Sequence, residues 1–409
     1  MKIKYLIFFT ILLSIGLGYP ILAQEIPSSD EVQKLKQEIE TLKSQTNFNK
    51  PGVSRFLLRG YAHSGMQVTN EAFSFVGGSF NPLFIYKQSD RLLFESEWEL
   101  ELTGGEVEFG IEYANMSYLL SKTLTFRAGK ILVPFGIFVP NLHPAWINKL
   151  PTGPLGAGHD GILPTSDIGL ELRGGSYVGN LKVNYSLYAI NGSQLNDGID
   201  EPEEAGILHH AILPDNNKGK TIGGRVGIFP LPNSSLELGF SGMYGKVGAE
   251  DSDLEDVAAL HYAVDLSYVR TIPSWSSVID LKAQYTAVNV DDANFPSHEN
   301  PDDLITFDNK STTWFAQLSL RPALLENKFI RNLEFAGRYS TLKTPEGSEW
   351  EADNNQIDIG INYWVDWRTL FKISYRISNT GENHQEEEEP GHGGGTIGNT
   401  FFIHWAIGF

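Results

Sequence analysis

Between residues 92 and 102, Leu92, Phe94, Trp98, Leu100 and Leu102 share one parity and Glu95, Glu97, Glu99 and Glu101 the other. Successive side chains of a strand point to opposite faces, so this segment reads as a strand with one apolar and one acidic face. The same period recurs at Ile168/Leu170/Leu172 against Asp167/Glu171/Arg173, and at Tyr262/Val264/Leu266/Tyr268 against His261/Asp265. It returns at Ile279/Leu281/Ala283/Tyr285 against Asp280/Lys282/Gln284, at Ile357/Ile359/Ile361/Tyr363 against Asp358/Asn362, and at Phe371/Ile373/Tyr375/Ile377 against Lys372/Ser374/Arg376. No charge interrupts the apolar phase of these segments. Short connections, such as 121–123, 231–235, 271–275 and 366–368, alternate with long polar ones near 191–219, 248–257, 291–311, 344–354 and 379–398. Short turns at one end and long loops at the other are the pattern of a membrane β-barrel, and following it along the chain predicts about sixteen strands. Aromatics near the ends of the apolar rows (Trp98, Tyr113, Tyr185, Tyr268, Trp314, Tyr339, Tyr363, Trp364, Trp405) fit interfacial girdles.

The final alternation, Phe401, Ile403, Trp405, Ile407 and Phe409, predicts a closing strand that pairs with the first. Phe409 resembles the terminal aromatic read by the barrel assembly machinery. The expected fold is all-β: a transmembrane antiparallel barrel over residues 53–409, with a soluble β-sandwich as the alternative. Ahead of it the period changes. Lys2 and Lys4, the apolar run from Tyr5 to Leu17 and a small-residue site at Ala23 read as a signal peptide over 1–23. Within 24–52, Ser28 and Glu31 stand at capping-box spacing, and Val32, Leu35, Ile39 and Leu42 form a short heptad seam. This predicts a short periplasmic helix, similar to a coiled coil, followed by a linker.

Composition narrows the function. With 31 Lys+Arg against 50 Asp+Glu and a net charge of -19, the chain has no basic stripe to suit nucleic acid. It has no cysteine, which excludes thiolate metal sites and cysteine nucleophiles. It carries no Gly-x-Ser-x-Gly, His-Glu-x-x-His or Walker motif, so neither an enzyme nor a bound cofactor is expected.

The run Leu92 to Leu102, the strand Phe109 to Leu120 and above all Leu124 to Gly136, with Gly129-Lys130-Ile131-Leu132-Val133-Pro134-Phe135-Gly136, resemble the phosphate-selective porin O/P family. Ile131 stands where that family's motif has phenylalanine. The resemblance implies a sixteen-stranded outer-membrane channel, usually a homotrimer, with a third loop folded into the pore. In this chain that loop is 133–165, and it offers His143, Trp146, Lys149, His159 and Asp160 as the polar lining of a constriction.

The resemblance implies, as an alternative, a phosphate- or anion-selective porin, which would line its lumen with Arg and Lys. The strand parities instead place Glu95, Glu97, Glu99, Glu101, Glu108, Glu112, Asp167, Glu171, Glu237, Asp265, Asp280, Glu334 and Asp358 inward with Arg59, Arg127, Arg173, Lys182, Arg225, Lys282, Arg338, Lys372 and Arg376. Acids outnumber bases. The expectation is therefore passive diffusion of small hydrophilic solutes or ions, with cations or zwitterions favoured, in a barrel surrounded by outer-membrane lipid. The glutamate ladder has a structural reading too, as a solvated face that pairs with bases and sets register. The acidic outer loops, with His384, Glu386 and His392 as candidate ligands and Glu201 to Glu204 beside His209 and His210, suggest the alternative of a surface metal-binding barrel.

Overall fold

The computed structural model describes residues 36, 55–69, 72–103, 106–158, 161–298, 303–379 and 398–409. The expected signal peptide and heptad seam lie outside the described residues, as do His159, Asp160, His384, Glu386 and His392. Arg55–Phe409 forms one unit.

The strands in chain order are β1 (Phe56–Val68), β2 (Phe73–Lys87), β3 (Leu92–Thr103), β4 (Glu106–Ser121), β5 (Leu124–Leu132), β6 (Ser166–Val178), β7 (Leu181–Ile190), β8 (Gln194–Leu195), β9 (Leu208–His209) and β10 (Thr221–Phe229). They continue with β11 (Leu236–Lys246), β12 (Ala258–Ile272), β13 (Ser277–Val290), β14 (Phe295–Pro296), β15 (Leu304–Ile305), β16 (Lys310–Arg321), β17 (Leu333–Lys343), β18 (Asp353–Trp364), β19 (Thr369–Asn379) and β20 (Thr400–Gly408). Sixteen of these close into one barrel, each beside its chain neighbours, while β8–β9 and β14–β15 form two small hairpins outside it. Every barrel pairing is antiparallel, and β20 returns to β1 with Val68 opposite Phe401 and Tyr61 opposite Gly408. The seam is extended by Gly60 and Phe409, whose backbones exchange hydrogen bonds at 3.2 and 2.9 Å.

The parity predicted from sequence holds. In β18 and β19, Ile357, Ile359, Ile361, Phe371, Ile373, Tyr375 and Ile377 are exposed on the outside, while Gln356, Asp358, Asn362, Lys372 and Arg376 are buried inside. An apolar outer belt and a polar interior are what a barrel spanning lipid requires. One irregularity matters later. The β3–β4 ladder pairs Glu97 with Tyr113 and Trp98 with Ile111, so Glu112 is an extra residue with no partner opposite it.

Strict alternation of short and long connections is not kept. β1 and β2 are joined by a tight turn at the loop end, where Thr69 and Ala72 bond to each other. The 322–332 connection at the turn end is long enough to hold a helical turn, Lys328–Arg331, capped by Asn327, whose side chain accepts from Phe329 N and Ile330 N. The loops after β7, β11 and β13 share an apolar core that includes Leu195, Ala205, Val247, Val257, Phe295 and Phe307. Trp350, from the loop after β17, seals it by donating to the Ala205 carbonyl at 2.9 Å.

Candidate pore and loop constriction

The segment from Val133 to Thr165 leaves β5, crosses to the far side of the barrel and returns to β6, with a short helix α1 (Phe138–Leu142) near its start. Gly136 makes the inward turn at φ +63, where a Cβ would lie 2.3 Å from the Gln284 amide, so glycine is favoured there and a larger residue would displace the Gln284 side chain. The next peptides bond to the opposite wall. Gly136 N donates to Ser241 Oγ at 3.0 Å, and Ile137 N and Phe138 N donate to Gln284 Oε1 at 2.7 and 3.1 Å. Phe138, Val139, Ala157 and Leu163 then pack on Phe315 of β16.

Beyond α1, basic side chains of β17 and β19 grip the loop by its carbonyls. The Lys372 ammonium donates to Ala145, Asn148 and Leu150 at 2.6, 2.8 and 3.2 Å, which satisfies all three of its N–H groups. Arg338 reaches the carbonyls of Thr152 and Gly153 at 2.9 and 2.8 Å, and Arg376 reaches the Thr152 hydroxyl. Arg338 and Arg376 also flank Asp358 at 2.8 and 2.9 Å, each directly opposite it in the ladder. Lys372, Arg338 and Arg376 are thereby 1, 2 and 1 % exposed.

Other inward bases are also matched to acids. Arg127 meets Glu171 at 2.6 Å, Arg225 bridges Asp265 at 2.6 Å and Glu237 at 3.1 Å, and Lys282 holds Asp280 at 2.5 Å. Arg173 is the more exposed, 4.0 Å from Glu171.

The space left open lies against the acidic wall. A cavity of about 580 Å³ is bounded by Glu99 and Glu101 of β3, Glu108 and Glu112 of β4, Tyr61 and His63 of β1, His404 of β20, Lys130 of β5, and Phe138, Val139 and His143 of the loop. Asn81 steadies Glu99 through a 3.3 Å hydrogen bond, and the Lys130 ammonium donates to the Ile111 carbonyl at 2.7 Å. The loop thus covers the basic wall and leaves the glutamate wall facing the cavity.

The loop residues singled out from sequence take different positions. His143 borders the cavity with its Nε2 3.9 Å from Glu97 Oε1. Burial opposes a charge on this imidazole, but the carboxylates of Glu97 and Glu112 outweigh that and hold its pKa above the ordinary histidine value. Trp146 packs edge-on against Trp367 and lies over Gly408, and Lys149 pairs with Glu334 at 3.1 Å beneath the Trp364 ring, so both hold the loop to the wall. Glu97 is buried behind the cavity edge and Glu95 lies next along its strand. Sequence reasoning missed Gln284, Ser241 and Thr313, whose hydroxyl donates to the Leu155 carbonyl at 2.7 Å, as docking points and His63 and His404 as lining. Nothing in one sequence separates them from other inward polar residues.

In the loop after β7, carboxylate oxygens of Glu201 and Glu204 and a ring nitrogen of His209 lie within 4.8 Å of one another. The Asn196 amide sits among them, 3.2, 3.4 and 3.4 Å from the three acceptors.

A closed sixteen-stranded antiparallel barrel with an apolar outside, a polar inside and one loop folded into the lumen is the fold of the outer-membrane porins. No protein-family model matches the chain, and no curated protein does. Solved structures do match. The chain is similar to OmpF of Salmonella typhi, in a complex with daunomycin, at TM-score 0.56 and 13% identity over 87% of this chain and 97% of that one. It is similar to the outer-membrane channel DcaP of Acinetobacter baumannii at TM-score 0.55 and 11% identity, covering 87% and 97%. The anion-selective porin of Comamonas acidovorans gives TM-score 0.55 and 12% identity, covering 87% and 99%.

Proposed function

We propose that the chain is an outer-membrane channel for passive diffusion of small hydrophilic solutes, and that it favours cations or zwitterions over phosphate and other anions. One observation carries the preference: the loop covers Lys372, Arg338 and Arg376, while Glu99, Glu101, Glu108 and Glu112 face the open cavity. A fixed negative wall in a narrow, low-dielectric passage raises the local concentration of cations and repels anions. The anion-selective porin shares the fold at 12% identity, so selectivity here is argued from the lining alone. The 133–165 loop acts as the constriction, with His143 on its cavity side. The barrel works in outer-membrane lipid as a homotrimer with its turn end in the periplasm, and chemical cross-linking tests the trimer. The alternative of a metal-capturing surface barrel has support in Glu201, Glu204 and His209, but Asn196 already serves those acceptors.

The test is planar-bilayer conductance with reversal potentials in a KCl gradient and then in potassium phosphate. An ohmic, cation-preferring conductance supports the proposal. Anion preference refutes the assigned selectivity, and absence of conductance refutes the channel.

A further inference from the structure

We propose that the cavity beside the acidic wall is a binding site for an organic ammonium solute that carries a ring and, at the far end from its nitrogen, a hydroxyl group. This solute class deepens the channel reading above and rests on it. His63 of β1 stands opposite Ser79 of β2, Ser79 opposite Glu101 of β3, and Glu101 opposite Glu108 of β4. All four border the cavity, so one row across the barrel wall runs from an imidazole to two carboxylates. Glu99 and Glu112, the extra residue of the β3–β4 irregularity, enlarge the acidic end. Neighbouring strands lie about 4.7–4.9 Å apart, so the β1 and β3 positions of this row are roughly 10 Å from each other.

The imidazole end is built from two rings. His404, on the inward row of β20, stacks on His63 with centroids 6.0 Å apart and planes 15° from parallel, and His63 Nδ1 is held by Ser79 Oγ at 2.9 Å. His404 is 7 % exposed, borders the cavity, and has no hydrogen-bond partner at Nε2 among the described residues. A buried, unpartnered ring nitrogen on a cavity wall calls for a partner inside the cavity. A hydroxyl can serve it in either tautomer, since it both donates and accepts. The positive charge of Lys372 acts on both imidazoles, so an ammonium is turned away from them and toward the glutamates.

Much of the remaining lining is carbon: Tyr61, Val76, Phe138, Val139 and Phe402 all border the space. Hydrated inorganic ions gain nothing from such a surface. A concave site of about 580 Å³ with an apolar wall and a few convergent polar groups is instead the form of a small-molecule site. Aromatic rings beside carboxylates suit an ammonium in particular, because a cation is drawn to the face of a ring.

The experiment records K⁺ current through the chain in planar bilayers while methylammonium, butylammonium, phenethylammonium and tyramine chlorides are added in turn, with 1-butanol and potassium butyrate as controls. Each buried methylene contributes roughly a fourfold gain in affinity, so the half-blocking concentration should fall by about tenfold or more from methylammonium to butylammonium. Tyramine, which adds the hydroxyl, should block at a lower concentration than phenethylammonium, and in His404→Phe the two should block alike. The controls should not block, and changing Glu99, Glu101, Glu108 and Glu112 together to Gln should abolish the block. A cation-selective current that no amine blocks, or that methylammonium and butylammonium block equally, overturns the site while leaving the channel intact. Block by 1-butanol equal to that by butylammonium overturns the role of the carboxylates, and a tyramine advantage that survives His404→Phe overturns the imidazole end. If the native chain does not conduct, the channel reading fails and calorimetry with tyramine on the folded barrel decides the site alone: binding lost in the fourfold Gln variant supports it, and binding absent from the native chain overturns it. Heat-modifiable migration establishes that each variant is folded.

Discussion

Replacing Lys372 by Met tests whether the loop is held to the wall by charge. The two side chains are alike in length and volume, so packing is kept while three N–H donors are removed. Each of the carbonyls of Ala145, Asn148 and Leu150 then loses a hydrogen bond to an ammonium, an interaction worth about 1.5–3 kcal/mol. Dry carbonyls are costly, so this stretch of loop moves toward water instead of staying in place. Allowing for rehydration, its docking weakens by roughly 4–5 kcal/mol, a shift on the order of 10³ in the docked-to-open ratio. The turn at Gly136 and the Arg338 contacts remain, so the loss is local and the barrel stays closed. Single-channel recordings should show a larger, noisier conductance and a reversal potential closer to zero, and protease should cut near residues 144–152 while sparing the strands. A Lys372→Met channel with native conductance, selectivity and protease resistance would refute the claim that this ammonium fixes the loop.

Neutralising the wall should act on selectivity without acting on the loop: Glu99, Glu101, Glu108 and Glu112 changed together to Gln should move the KCl reversal potential toward that of an unselective pore. Acidification should have a related effect. The pKa of His143 is raised by Glu97 and Glu112, so protonation adds positive charge at the passage as pH falls through that value, and cation preference should decline there. The stability from this pair has the matching sign, present below the unfolded histidine value and lost as pH rises through the folded one; a reversal-potential series against pH that is unchanged by His143→Gln would count against this role. Gly136→Ala forces a left-handed conformation costing about 1–2 kcal/mol and a 2.3 Å approach to Gln284, so it should lower the temperature of heat-modifiable migration. Asp358→Asn leaves two buried guanidiniums without their shared carboxylate, and since breaking a buried pair costs about 3–5 kcal/mol it should be more damaging than Gly136→Ala on the same gel.

Strand parity was readable because a two-residue period has only two phases, and charge is costly at the membrane centre of the outer one while being tolerated near its ends, as at Arg270. Ile357 to Tyr363 and Phe371 to Ile377 are as plain in sequence as in space. The cross-strand triad of Arg338, Asp358 and Arg376 was half legible: parity places all three inside, but register between strands is needed to set them opposite one another. What parity cannot show is which wall a long loop settles against. Lys149 and Trp146 look like pore-lining residues in sequence and serve as fasteners in space, because their partners Glu334 and Trp367 lie far along the chain. The irregularity at Glu97 and Trp98 is equally invisible, since the alternation of β3 continues through it and the extra residue is on β4.

The seam between β1 and β20 bears on how such a chain reaches its final state. Tyr61 cannot find Gly408 until all the strands between them exist, so the last pairing has the greatest sequence separation and the slowest search. Until it forms, two rows of backbone amides and carbonyls are bare, and in hydrocarbon each such group costs several kcal/mol. A half-assembled sheet therefore has no resting place in the bilayer on its own. Insertion and closure must proceed as one event, or on a template that lends its own strand to the open rows until the two ends meet.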